Sequence, residues 1–456
     1  MGSITSALTE AANSLGAFSS TFDVIENNIS NANTPGYAAQ NVNLQPLPFE
    51  PDTGLAGGVE SGPLISTRSQ YLEQAVRNQQ QLLGSAQQQA GDLGQIQPLF
   101  SLTATSGVAP SLNSLFDAFS QLSVSPNDST NSQAVITAAN GLAENIRQTA
   151  SGIQQVSTDI VGQTSSVVSQ INQLASQIAS INQQYQDDAS SQQDAGLDAQ
   201  MNSALESLSQ LANFTLIKTN DGINTVALGG QTMLVIGDQA NAISTTNTSG
   251  QTAILDSQGN DITSQITQGQ LGALIVENNT TIPGYVSSFN TFAQSLADTV
   301  NGQLSQGVDQ NGDPGAPLFS YDQSSDAAST IAVSSTITPD QIAAAAAGSP
   351  GGNGNAIALA QLANTPAANG FTLTQLYGNL SAQIGTDVEN ATDSQSMAQN
   401  QLTQAQTQRT AVSGVDLNAE ATQLLQFQQA YNAAGKLVSI LQELSQSIID
   451  MVQITT

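Results

Sequence analysis

The side chains that could do chemistry in this chain are few and poorly spaced for it. Histidine and cysteine are absent, and lysine occurs only at 218 and 436. That removes the commonest general base, the thiolate nucleophile and the usual nitrogen and sulfur metal ligands together. Carboxylates remain. In DQNGDPG (309–315), Asp309, Asn311 and Asp313 occupy the first three ligand positions of a calcium loop. The glycine required at its sixth position is Pro314, and its twelfth position is Ser320, not a bidentate glutamate. An Asx turn is the expectation there. GSPGGNGN (348–355) is glycine-rich, but no Lys-Ser/Thr follows it, so it reads as a loop and not as a phosphate cradle. Asp187 and Asp188 are neighbours at a polar helix end and read as solvated charge. The sequence offers no catalytic residue, no metal ligand set and no cofactor site. It reads as a non-enzyme.

Composition narrows the partners. Six basic residues against 35 acidic ones give a net charge of −29, which repels both nucleic-acid phosphates and anionic membranes. Charged residues are nevertheless only 9% of the 456, too few for a polyacidic tail. Aromatics are 4% and tryptophan is absent, so burial falls to Leu, Ile, Val and Ala in helices packed through thin seams. The opening MGSITSALTEAANSLGAF lacks a basic region followed by an apolar run, so no cleaved signal peptide is expected. The longest near-continuous apolar run, IAAAAA (342–347), is far too short to cross a bilayer.

Spacing supplies the elements. Ile4, Leu8, Ala11, Leu15, Phe18, Phe22, Ile25 and Ile29 recur at alternating steps of four and three, the seam of a coiled coil. Asn33-Thr-Pro-Gly then makes a turn, Pro35 fixing φ and Gly36 free to take a positive one. Leu424, Phe427, Tyr431, Ala434, Val438, Leu441, Ile448 and Val452 mark a matching seam in the last helix. Neither stripe can be buried alone, so the two terminal helices are expected to pair.

A third stripe, Ile146, Ile153, Ile160, Val167, Leu174 and Ile181, repeats every seven residues and predicts one long rod-like helix. A second row, Ile171, Ile178 and Tyr185, joins its later half. Further helices are expected at 68–97, 111–123, 132–145, 198–212, 284–304 and 372–410. FTLIKTNDGINTVALGGQTMLVIGDQ (214–239) alternates β-formers with Asp-Gly and Gly-Gly, which predicts hairpins. The region 307–371 is loop-rich, with a short strand at 329–334. The expected fold is mainly α: a long coiled-coil-like helical bundle with paired termini and a small β insertion. Its boundaries are a terminal coiled-coil domain at 1–40 and 412–456, helical rod segments at 41–212 and 270–411, and the insertion at 213–269.

IENNISNANTPGYAAQ (25–40) closely resembles the N-terminal signature of the flagellar axial proteins, the rod, hook and hook-associated families. SGVDLNAEATQLLQFQQAYNAAGKLV (413–438) is similar to the C-terminal motif of the hook–filament junction family within that group, as are stretches at 114–146 and 269–319. Two departures stand out. Ser132 occupies a position that is usually Arg, and the large β domains many relatives insert between Tyr321 and Ile331 are missing.

The resemblance implies an assembly role for the seam residues Leu15, Phe18, Phe22, Ile25, Leu424, Phe427, Tyr431, Val438 and Leu441, whose helices line a central channel. It implies one also for Asn31, Asn33, Pro35, Gly36 and Tyr37 of the turn. The asparagines there would cap backbone and bond between subunits. It implies a structural adaptor joining hook to filament outside the cell, exported unfolded by the flagellar secretion apparatus. Its partners would be copies of itself, the hook protein, a second junction protein and a cytosolic chaperone on the C-terminal helix. A hook or distal-rod protein is the near alternative, and a secreted enzyme or adhesin on a helical stalk the distant one.

Overall fold

The computed structural model describes the chain except for residues 1, 51–54, 103–104, 220–221, 249, 324–325 and 455–456. Its elements fall into two compact units. One comprises 1–82, 171–242 and 399–456; the other comprises 83–170 and 243–398.

The first unit holds both chain ends. Helix α1 (Gly2–Asn31) is followed by an antiparallel hairpin, β1 (Gln40–Glu50) and β2 (Leu55–Ser66). Sequence periodicity gave no sign of this hairpin. Pro46, Pro48 and Pro63 interrupt its strands, and proline removes ladder donors, so the segment does not read as sheet. Both strands pack on α1, which therefore has a neighbour besides the C-terminal helix.

Helix α2 (Gln70–Ile96) begins in this unit, and α3 (Val108–Val124) belongs to the other. The predicted rod and the helix expected before it form one element of 59 residues, α4 (Ser129–Asp187). Its stripe is buried at Ile146, Ile153, Ile160, Val167 and Ile181, but Leu174 is only half-buried and Ala175 takes its place inside. The row slips by one position at that turn and is inside again at Ile181.

Asp194 caps α5 (Ala195–Leu211), accepting from Gly196 N at 2.7 Å and Leu197 N at 3.1 Å. The β-formers after it make two sheets. β3 (Phe214–Lys218), β4 (Asn224–Leu228), β5 (Thr232–Ile236) and β6 (Gln239–Ala240) form an antiparallel sheet in the first unit. Buried Asn182 pins that sheet to α4, donating to Asn224 O at 2.7 Å and Gly237 O at 2.8 Å and accepting from Asn224 N at 3.0 Å.

β7 (Ser244–Thr248) and β8 (Gln251–Leu255) form a separate hairpin in the second unit. There α6 (Gly269–Val276) passes through a single π turn, Glu277–Thr281, into α7 (Ile282–Ser305). After α7 come short pieces: β9 (Gly307–Val308), β10 (Phe319–Ser320), α8 (Ala327–Thr330), β11 (Ala332–Val333), β12 (Ala345–Ala346) and α9 (Gly354–Gln361). Among the described residues, the aromatics with 2% exposure or less all lie in this unit. Phe100 meets Phe289 edge-on at 5.3 Å, and Phe292 lies 5.4 Å from Tyr377. Each such pair adds about 0.5–1.5 kcal/mol beyond its area, so a few ring contacts reinforce a core that is otherwise Leu, Ile, Val and Ala. Ser132 is fully buried, and its hydroxyl has no hydrogen-bond partner.

Helix α10 (Leu373–Ser413) runs back into the first unit and leads to α11 (Leu417–Ile454). Asp416 caps α11 by accepting from Asn418 N at 2.9 Å. No helix among the described residues is long and apolar enough to cross a membrane.

Candidate functional site

The terminal helices α1 and α11 pack together along the predicted stripes. Phe18 and Phe427 have ring centroids 6.1 Å apart, and Phe22 meets Tyr431 edge-on at 5.8 Å. Ile25 is buried; Leu15, Phe18, Phe22, Leu424, Phe427, Val438 and Leu441 are half-buried, and Tyr431 is 40% exposed. The side chain of Val452 lies outside the described residues. The stripe departs from expectation at its end, where Ile29 is exposed and its neighbour Asn28 turns inward with 1% exposure.

Asn28 is the polar centre of this end. Its amide nitrogen donates to Gln40 O and to Glu420 Oε1, both at 2.8 Å. Its oxygen accepts from Gln40 N at 2.9 Å. The Tyr37 hydroxyl lies 2.8 Å from Asn28 Oδ1 and 2.9 Å from Asn27 Oδ1, its one proton serving either. One side chain thus ties α1, the start of β1 and the first turn of α11. A lone buried amide in an apolar seam fixes register, because any slip leaves it unpaired.

Glu420 has only 7% exposure, and burial pushes its carboxyl above the ordinary range, against the Asn28 hydrogen bond and with the Asp416 charge adding to the rise. Burial, then the Glu420 charge, pushes Tyr37 up to about 12. A carboxyl raised on folding holds more protons folded than unfolded, so its contribution is full in acid and is lost as pH rises through its folded value. Thermal unfolding should therefore show a component that strengthens as pH falls toward the ordinary carboxylate range, and Glu420→Gln should remove it while keeping an acceptor for Asn28. Glu420→Ala leaves that amide unpaired and should cost about 1–3 kcal/mol.

The asparagine-rich turn is self-bonded. Asn31 Nδ2 donates to Asn27 O at 3.0 Å, and Thr34 Oγ1 donates to Asn31 Oδ1 at 3.0 Å. Asn33 and Pro35 are exposed. Gly36 has φ +75°, and a Cβ there would meet Ala199 O at 2.4 Å, so α5 passes too close for any side chain.

Sequence reading missed what grips this turn. Arg68 donates to Gly36 O at 2.6 Å, to Glu73 Oε1 at 2.6 Å and to Asp198 Oδ2 at 2.8 Å. Glu73, 1% exposed, also pairs with Arg409 of α10 at 3.2 Å, and Arg409 pairs in turn with Glu206 of α5. Arg77 is buried beside them, its guanidinium lowered by that burial against the opposing charges of Glu73 and Glu206. Three cations and three anions balance here, using half of the chain's basic residues. Ser413 closes the joint, accepting from Ala39 N at 2.9 Å and donating to Thr67 O at 3.0 Å. A cleft of about 220 Å³ lies over it, lined by the turn, Arg68, Arg409 and Ser413. Rarity was the available signal: an arginine in so Gln- and Ala-rich a chain is there for a partner.

The remaining candidates are structural. Asp309 Oδ1 accepts from Asn311 N at 2.8 Å and Asp313 N at 2.9 Å, an Asx turn. Asp188 Oδ1 accepts from Ser190 N at 2.8 Å. Asn353, in the glycine-rich loop, donates to Ser123 O of α3 at 2.7 Å.

Comparison with known proteins places this geometry. Residues 93–319 match the family model of the flagellar hook-associated protein FlgK helical domain. Residues 406–451 match that of the flagellar basal body rod FlgEFG protein C-terminal region. Flagellar hook-associated protein 1 of Bacillus subtilis (strain 168) is 25% identical over 494 aligned positions, covering 97% of each chain. The flagellar hook junction protein FlgK from Burkholderia pseudomallei has a similar fold, with TM-score 0.68 and 17% identity over 75% of this chain and all of that one.

Proposed function

The chain belongs to the flagellar hook-associated protein 1 family, within the rod and hook axial proteins, and from that premise we propose that it is a structural adaptor joining hook to filament. The observation that carries this reading is on α11. One stripe packs on α1, while a second is turned outward: Leu437, Ile440 and Leu444 are 48–53% exposed at steps of three and four. An apolar seam left open beside a closed one suits a helix pair that stacks against further copies of itself. The hook protein and a second junction protein would flank such a layer. A cytosolic chaperone would cover the same α11 stripe before export through the flagellar secretion apparatus, which delivers the chain outside the cell to the flagellum. The role is mechanical, and no step of it asks for a catalytic group or a cofactor.

The test is Ile440→Asp with Leu444→Asp. These positions face away from α1, so the purified variant should keep its helicity and thermal midpoint. Cells carrying it should build hooks, fail to grow filaments and lose swimming. Normal filaments would sink the reading.

A further inference from the structure

In the second unit, the π turn Glu277–Thr281 places Glu277 at 1% exposure with no donor on either carboxylate oxygen. The polar side chain it meets is the carboxyl of Asp92 on α2, 2% exposed. Asp92 is itself supported by Gln88, which donates to Oδ2 at 2.7 Å and to Gln163 Oε1 at 2.6 Å. No cation neutralises the pair: the only basic residue of the unit is Arg147, and it is paired with Glu144. Two bare carboxylates cannot share so dry a place.

The same turn holds the β7–β8 hairpin. Asn279 Oδ1 accepts from Thr252 N, and Asn279 Nδ2 donates to Thr252 O, both at 2.8 Å. Asn278 donates to Gly250 O at 2.9 Å and to Thr252 Oγ1 at 3.0 Å. The extra residue of a π turn is what brings Asn278 and Asn279, adjacent in sequence, onto one strand. Such turns are strained and need holding.

We propose that Glu277 and Asp92 share one buried proton, and that this proton locks the turn that clamps the β7–β8 hairpin. Glu277 Oε–H donates to Asp92, whose Oδ2 accepts from Gln88. When the proton leaves, the two carboxylates repel and the turn relaxes. Burial first, then the hydrogen bond and charge of Asp92, push Glu277 up to about 10. The other titratable groups facing this place are Tyr285 of α7 and Asp387 of α10, which bond to each other at 2.7 Å. The folded state thus holds one more proton than the unfolded between the ordinary carboxylate range and that value. The lock is complete in acid and is lost as pH rises through it.

Hydrogen exchange of the full chain at Thr252 N reads the clamp directly. After correction for intrinsic rates, its opening constant should grow with pH between 7 and 10, by at most tenfold per unit. Glu277→Gln keeps a permanent donor toward Asp92 and should flatten that dependence; Asp92→Asn, which donates toward Glu277, should flatten it too. A flat wild-type profile, or variants that keep the wild-type slope, would overturn the proposal. So would tightening of the wild-type clamp, but not of Glu277→Gln, by millimolar calcium chloride at pH 7.5, because the pair would then hold a cation instead.

Discussion

Arg68→Ala should destabilise the unit that holds the chain ends by about 3–5 kcal/mol, the largest effect expected of removing any single charge in this protein. The guanidinium makes a 2.6 Å bond to Gly36 O and paired bonds to Glu73 and Asp198, and its side chain is only 6% exposed. Removing it leaves Glu73 held by Arg409 alone and strips the turn of its anchor. Leaving a buried charge short of its partner is what makes the loss large; the intact pair contributes far less. Arg68→Lys restores charge without the fork and should recover only part of it. Arg147→Ala is the internal comparison. Its pair with Glu144 has side-chain exposures of 36% and 53%, so its loss should stay near ~1 kcal/mol. Denaturant unfolding combined with exchange at the α5 amides measures all three. An Arg68→Ala loss no greater than that of Arg147→Ala would show the clasp to be ornamental.

How far the sequence reached can be followed residue by residue. Stripes were legible because burial imposes a period. Leu15, Phe18, Phe22 and Ile25 could be placed on one face of α1 by counting, and so could their counterparts on α11. The count failed where a polar residue took an inward position: Asn28 is hidden and Ile29 exposed. No hydropathy pattern reports that, because the reason is a bond to Glu420, 392 residues away. The clasp was invisible for the same reason. Arg68 finds Asp198 across 130 residues and Glu73 finds Arg409 across 336. Local spacing carries no trace of either. The β1–β2 hairpin was lost to its prolines.

The terminal seam supports the other large prediction. Phe22→Asp should cost the α1–α11 pair about 3 kcal/mol, because it removes most of a large apolar side chain and sets a carboxylate against Tyr431. The lost contact is the edge-on ring pair at 5.8 Å. Phe22 belongs to the first unit, so the core of the second should keep native exchange protection. Phe22→Leu keeps apolar volume and forfeits only the ring geometry, so it should cost about 1 kcal/mol. The two variants separate shape from polarity. If the terminal pair is the assembling element, Phe22→Asp cells should build hooks and release unpolymerised filament subunits into the medium, while Phe22→Leu cells swim. Electron microscopy of the cells and a blot of the medium decide it. Filaments of ordinary length on Phe22→Asp cells would mean that assembly is carried by surfaces other than this seam, whatever its contribution to the stability of the chain ends.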